Sequence, residues 1–383
     1  MMTDPTSFQP DADKLLSIRG MPIKERITWL MHRARSHSTV FQSPESVMER
    51  NLYVAQHPTA VVALNCMDGR VNTSVATDTP FGIILPLRNL GGRFDLGWPY
   101  FGEVLADHVQ DMIKQGRRTL VLISYHYSKG DHHRGCAGFQ YDTDAARKHM
   151  FEIKRQIEAV YGKGHSAVYP LVCGFETDED AFILHGSRGD VLDLSTLTST
   201  IDYTLPGSLT RLFPDMPDQM RQDLLPLLQG NISHISKIRR SNRELDIEHH
   251  EWIIGIGRGF DWLHAPNLAL LIGPYSPDLA EPIRKAAGII GANMQSRRIP
   301  DDGFLLLAES PYHEIGADRA RAELKSGFLL EFAAGIICAE FPNLKEKMHL
   351  RAAVIAWQSR EMEFIECSAT STYQVDPIQP TIA

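Results

Sequence analysis

Cys66, Asp68 and Arg70 stand at alternate positions directly after the apolar run Val61–Leu64, and His126 and Cys136 follow a second run, Thr119–Tyr125. Two thiols and an imidazole make a Cys₂His set, which leaves the fourth position of a tetrahedral zinc open to water, as catalytic rather than structural zinc sites do. Paired thiolates favour zinc over hard cations, and zinc brings the acidity of a bound water close to neutral pH. An arginine two residues from an aspartate can hold the carboxylate ionised by a charge-assisted pair. If the chain stays extended beyond residue 64, alternate residues share a face, so the groups at 66, 68 and 70 are expected to point the same way. Singly, each signal has a plainer reading. A cysteine after a strand is often a small buried hydrophobe, and Asp-x-Arg is often a surface pair.

Bringing these groups together requires an α/β frame. The short β-branched run Val61–Leu64, between Pro58 and Gly69, reads as a buried strand of a parallel sheet. Gly82–Leu87 reads as a second strand ending in Arg88-Asn89-Leu90-Gly91-Gly92, and Thr119–His126 as a third. The apolar stripe Val104, Leu105, Val109, Met112, Ile113 predicts a helix closed by Gly116. A helix over about Asp144–Tyr161 and a strand over Ala167–Cys173 follow. Strands alternating with helices imply a parallel sheet, whose ligand crevice lies at the carboxyl ends of the strands. Two such strands ending in Cys66 and His126 can place both side chains in one crevice, and the glycine-bearing loop can return Cys136.

The same grammar recurs in the second half of the chain. Trp252–Gly257, Leu268–Gly273, Phe304–Ala308 and Arg351–Trp357 repeat the order of the first four strands, which predicts a diverged internal duplication. The second copy carries Arg258-Gly259-Phe260-Asp261-Trp262-Leu263-His264 where the first carries the Cys-Asp-Arg stretch, so it is expected to lack a metal site. Before the first strand, Ile23–Ser36 and a segment opened by Pro44 have helical spacing. Between the copies, Ser187–His250 is polar and proline-bearing, with one firm helix inside Gln219–Arg240 that Pro226 and Gly230 are expected to interrupt. The expected domains are a helical arm over 1–57, a zinc-bearing α/β domain over 58–190, a helical linker over 191–250 and a metal-free α/β repeat over 251–383.

Composition narrows the function classes. With 383 residues, 43% hydrophobic and 22% charged, the chain has the make-up of a globular protein of two or three domains. A net charge of −8 argues against a nucleic-acid partner, which needs a concentrated basic face. No apolar run approaches the roughly 20 residues of a membrane span, and the polar, acidic N-terminus carries no signal-peptide core. Five scattered cysteines do not make a disulfide framework.

In combination, Cys66-Met67-Asp68-Gly69-Arg70, Arg88-Asn89-Leu90-Gly91, and His126 with Cys136 resemble the motifs of β-class carbonic anhydrases. The last spacing departs from the usual His-x-x-Cys. His133-Arg134-Gly135-Cys136 would satisfy that short form and makes His133 the rival ligand, while His126 is preferred because it occupies the strand end. The longer loop, the stretch Tyr125-His126-Tyr127-Ser128 and the acidic stretch Gly174–Ala181 are similar to those of the carboxysome shell carbonic anhydrases. That resemblance implies a helical N-terminal domain followed by two tandem β-carbonic-anhydrase-like α/β domains forming an internal pseudo-dimer, the second degenerate.

The resemblance further implies one Zn²⁺ per chain on Cys66, His126 and Cys136, and reversible hydration of carbon dioxide to bicarbonate and a proton by zinc-bound hydroxide. Asp68 would orient the hydroxide while Arg70 keeps Asp68 off the metal. His264 is the nominee for a residue that the second copy lends to the pocket, and His132, His133 and Tyr127 are candidates for proton relay. The implied partners are carbon dioxide and bicarbonate, further copies of the chain in a homo-oligomer, and the carboxysome shell or Rubisco; no nucleic acid or membrane is expected. The implied location is the carboxysome. A free cytoplasmic location is the alternative, because only residues 1–20 precede the first helical segment. Two other functions compete: hydrolysis of a linear substrate such as carbon disulfide on the same site, and a scaffold whose zinc is structural.

Overall fold

The computed structural model describes residues 18–162, 167–197, 204–241, 249–263 and 267–366. These fall into two compact units: residues 43–248 with 275–278 form one, and residues up to 42, 249–274 and from 279 onward form the other.

The first unit opens with the helix Pro44–Gln56, started by proline at its first turn and capped by the Ser43 hydroxyl, which accepts from the Ser46 N–H. The sheet then comprises β1 (Ala60–Cys66), β2 (Ile84–Asn89), β3 (Thr119–Tyr127), β4 (Val168–Glu176), β5 (Ala181–His185) and β6 (Val191–Asp193). Their order is β2-β1-β3-β4-β5-β6. The first four are parallel, and β5 and β6 extend the sheet antiparallel.

β1 is buried along its whole length because both faces are covered. Val62 and Leu64, with Val121 and Ile123 of β3, pack against Phe101, Leu105 and Val109 of the helix Pro99–Lys114 and against Met150, Ile153 and Ile157 of the helix Thr143–Tyr161. Val61 and Ala63, with Leu120 and Leu122, share the opposite face with Leu209, Leu224 and Leu228.

Those last leucines come from the region between the copies, where the sequence predicts one firm helix interrupted at Pro226 and Gly230. It contains two helices, Leu205–Leu212 and Asp218–Ser241, and the second runs unbroken through Pro226 and Gly230. Gly230 is a contact position rather than a breaker, since a Cβ there would lie 1.8 Å from the Thr77 carbonyl oxygen. Burial of a leucine-rich face outweighs the local cost of these two residues.

The second unit contains β7 (Ile253–Gly257), β8 (Ala269–Ile272), β9 (Phe304–Tyr312), β10 (Met348–Ala356) and β11 (Glu361–Ile365), in the order β11-β10-β9-β7-β8. Read from the other edge this is β8-β7-β9-β10-β11, the order of β2-β1-β3-β4-β5. Both sheets are thus mixed: four parallel strands carry an antiparallel edge that strand-helix alternation does not reveal. The helix Ile23–Phe41 belongs to this unit; its Arg26 is fully buried and pairs with Asp302.

Glu309 on β9 is a buried carboxyl whose Oε2 accepts from Trp262 Nε1 at 3.0 Å while Oε1 has no partner. Burial, with Asp261 nearby, pushes its pKa up to about 8 against the partial relief of Trp262 and Arg360, and Arg360 itself pairs with Asp261 at 2.8 Å. A carboxyl raised this way contributes stability that is fully present below about 4.5 and is lost as pH rises through about 8. Glu309→Gln is therefore expected to gain stability over the wild type as pH increases, by on the order of 1 kcal/mol or more at pH 8. Urea unfolding at pH 6 and pH 8 checks this.

Candidate metal centre

β1 delivers Cys66 as its last residue, opposite Asn89 of β2, and β3 delivers His126 opposite Phe175 of β4. The loop after β3 then folds into two single turns, His132–Arg134 and Ala137–Phe139, with Cys136 between them. The ligand atoms of Cys66, His126 and Cys136 all lie within 4.8 Å of one another, and the two sulfurs are 3.8 Å apart. All three residues are buried.

Glycines allow this return. A Cβ on Gly138 would lie 2.6 Å from the Cα of Gly91, so the turn after Cys136 rests directly on the backbone of the turn after β2. Gly92, at φ +64°, would put a Cβ 3.1 Å from the Ser124 carbonyl oxygen.

The donor set fits a divalent metal. Neither ring nitrogen of His126 finds a hydrogen-bond partner although both are buried, a costly arrangement unless something else engages them. The bond with Cys136 holds the Cys66 thiol well below the ordinary range, while the same bond and burial hold Cys136 well above it. The pair thus shares a proton that a cation would displace. Zinc suits two thiolates and one imidazole with a position to spare.

The Asp68–Arg70 stretch is a turn, not the extended strand that alternation implies. β1 ends at Cys66, and the Val71 N–H donates to the Asp68 carbonyl at 3.1 Å. The two side chains meet nonetheless. Asp68 accepts from the Arg70 backbone N–H at 2.9 Å, from Arg70 Nε at 3.0 and 3.1 Å, and from Nη2 at 2.6 Å. The Arg70 guanidinium also donates to the Arg134 carbonyl at 3.1 Å. Asp68 Oδ2 lies 4.0 Å from His126 Nε2, so a paired carboxylate borders the ligand cluster.

Arg88, in the stretch that the resemblance to β-class enzymes implies as supporting architecture of the pocket, stands near the end of β2. Its guanidinium binds the carbonyls of Cys66 at 3.1 Å, Asp68 at 3.2 Å and Val71 at 2.6 Å, clasping the whole turn. Burial lowers its pKa to about 10. The acidic run after β4 carries no functional role in the sequence reading. Glu176, fully buried and raised by burial to about 7, accepts from the backbone N–H groups of Lys129, Asp178 and Glu179, and Asp178 binds Ser128 and Gly130. The contacts with Ser128, Lys129 and Gly130 join residues about fifty positions apart, which no local pattern announces.

The other nominees lie elsewhere. His133 is exposed and packs edge-on to His132 at 4.3 Å and to Tyr141 at 5.6 Å. Cys173 is core, its thiol pushed up to about 12 by burial. His264 lies outside the described residues.

The second unit can be compared through its hairpin. β4 and β5 close on Glu176↔Ala181 and β10 and β11 on Ala356↔Glu361, with residues 177–180 and 357–360 between. In this register Phe175 answers to Ile355. The partner of Phe175 is His126, and that of Ile355 is Pro311. One strand further, Leu64 answers to Ile256, so Arg258 stands where Cys66 does. Neither proline nor arginine can ligate a metal, and among the described residues Cys66, His126 and Cys136 form the one such cluster.

The family model for the catalytic domain of the carboxysome shell carbonic anhydrase matches residues 103–202, a span that contains His126, Cys136 and the Glu176–Asp180 run. The chain is similar in sequence to the carboxysome shell carbonic anhydrases. Over 234 residues it is 28% identical to the carboxysome shell carbonic anhydrase of Prochlorococcus marinus (strain MIT 9313), covering 53% of this chain and 45% of that protein. The corresponding protein of Hydrogenovibrio crunogenus is 28% identical over 245 residues, covering 55% of this chain and 46% of its own length. The matches thus span about half the length of these curated relatives. Among solved structures, the β-carbonic anhydrase CcaA aligns over 43% of this chain and 91% of its own, at 12% identity and a TM-score of 0.32, too distant to carry an argument.

Proposed function

We propose that this chain catalyses the reversible hydration of carbon dioxide at a zinc ion held by Cys66, His126 and Cys136. The observation that carries the reading is the buried cluster of two sulfurs and an otherwise unpartnered imidazole, beside a carboxylate locked by an arginine. Kinship with the carboxysome shell carbonic anhydrases supports the substrate and an association with the carboxysome.

When bound, zinc supplies a Lewis acid that generates a hydroxide nucleophile near neutral pH. The residues of the chain do the rest. Cys66, His126 and Cys136 would hold the ion, a three-residue set of the kind that suits catalytic zinc. Asp68 would stand beside the ion as a hydrogen-bond acceptor that orients what binds there, and Arg70 would hold that carboxylate ionised and off the metal. Arg88 fixes the turn on which both depend.

In this reading the second unit is a diverged copy that keeps the scaffold and has lost the ligands, as the matching strand orders and the Pro311 and Arg258 positions support. The test is carbon dioxide hydration, followed by a pH indicator in stopped flow, before and after chelation and after zinc is restored. The proposal expects activity that disappears with the metal and returns with it. Metal-loaded protein without hydration activity would overturn it.

A further inference from the structure

The loop that follows β3 is anchored at its start by carboxylates from the β4–β5 hairpin. Ser128 Oγ donates to Asp178 at 2.8 Å (Oδ1) and 3.0 Å (Oδ2), and the Gly130 N–H donates to Asp178 Oδ2 at 2.8 Å. The Ser128 hydroxyl in turn accepts from the Asp131 N–H at 3.1 Å, which joins the clamp to the next turn. Beneath this, Glu176 accepts from the N–H groups of Lys129 and of Asp178 itself, so one buried carboxylate seats the other. In the following turn the Arg134 N–H donates to the Asp131 carbonyl at 3.0 Å. The Arg134 carbonyl then faces Arg70, and Cys136 stands two residues on.

We propose that Asp178, seated by Glu176, is a positioning residue that fixes the 128–134 loop so that the Arg134 carbonyl holds Arg70 against Asp68. This rests on the functional reading above, because the consequence it assigns is whether Asp68 stays clear of the metal. A carboxylate is suited to the task, since both its oxygens accept and two donors from the loop converge on it. Asparagine keeps one accepting oxygen and alanine none. The clamp touches neither substrate nor metal; it acts through the Arg134 carbonyl alone.

The test uses the full chain loaded with cobalt(II) as a visible probe, comparing wild type, Asp178→Ala, Asp178→Asn, Ser128→Ala and Arg70→Ala. Loss of an outer partner of a metal site costs about 10- to 100-fold. Asp178→Ala is expected to keep one cobalt per chain, to shift its spectrum towards that of Arg70→Ala, and to lose about 10- to 100-fold in kcat with little change in KM. Asp178→Asn should recover part of both. Ser128→Ala, which removes only the bridging hydroxyl, should shift the spectrum the same way to a smaller extent, and it carries the test if Asp178→Ala does not fold. Wild-type spectra and kcat in metal-loaded Asp178→Asn and Ser128→Ala would overturn the proposal. If the wild type binds cobalt but does not hydrate carbon dioxide, the functional reading falls while the spectra still decide the clamp. If the wild type binds no cobalt, both fall.

Discussion

Arg70→Ala is expected to give a folded, metal-loaded protein whose carbon dioxide hydration has fallen by orders of magnitude. Arg70 supplies one backbone and three side-chain contacts to Asp68, and both residues are buried. Removing one partner of a buried pair leaves an uncompensated charge at a cost of about 3–5 kcal/mol. Asp68 can relieve that cost by turning towards the ligand cluster, from which its Oδ2 is only 4.0 Å away. As a fourth ligand it would close the position that the substrate chemistry needs. Asp68→Ala differs, because it leaves that position open and removes only the orienting acceptor, so its residual activity should be higher. Cobalt spectra distinguish a carboxylate-closed site from an open one. Full activity in Arg70→Ala with an open site would make the Asp68–Arg70 pair purely structural.

The second large effect separates two histidines. His126→Ala is expected to lose metal and hydration activity together, whereas His133→Ala keeps the metal and most of the activity. His126 has a ring nitrogen within 4.8 Å of both sulfurs, and neither of its ring nitrogens is hydrogen-bonded. His133 lies in an exposed turn, where its backbone N–H bonds Asp131 and its ring packs on His132 and Tyr141. Zinc content measured beside stopped-flow hydration for both variants decides between them. The reverse outcome would restore the short His-x-x-Cys pattern as the ligand set.

The candidate site was legible in the sequence where its residues sit at strand ends. Cys66 and His126 terminate runs whose apolar, β-branched character marks buried strands, and parallel neighbours carry such ends to one edge. Cys136 was legible only through its residue type, because its place depends on the contact of Gly138 with the Gly91 backbone. Alternation misjudged the shape at Asp68, since an aspartate that accepts from the N–H two residues on favours a turn. The clasp of Arg88 and the clamp of Asp178 were not legible at all; both are long-range choices of a side chain among backbone groups. In the fold, the parallel strands and the doubled order came through. The antiparallel edges did not, nor did the helix Leu205–Leu212; the helix inside Gln219–Arg240 was legible, but not its unbroken run through Pro226 and Gly230, which tertiary burial stabilises.

X-ray absorption at the zinc edge, on purified protein whose metal content has been determined, tests the central claim most directly. The account predicts one zinc per chain, bound by two sulfurs at about 2.3 Å and one imidazole nitrogen at about 2.0–2.1 Å with a light fourth ligand. It also predicts that the sulfur signal falls by half or the metal is lost in Cys136→Ser. A second tightly held zinc in each chain, or a first shell unchanged by Cys136→Ser, would contradict it.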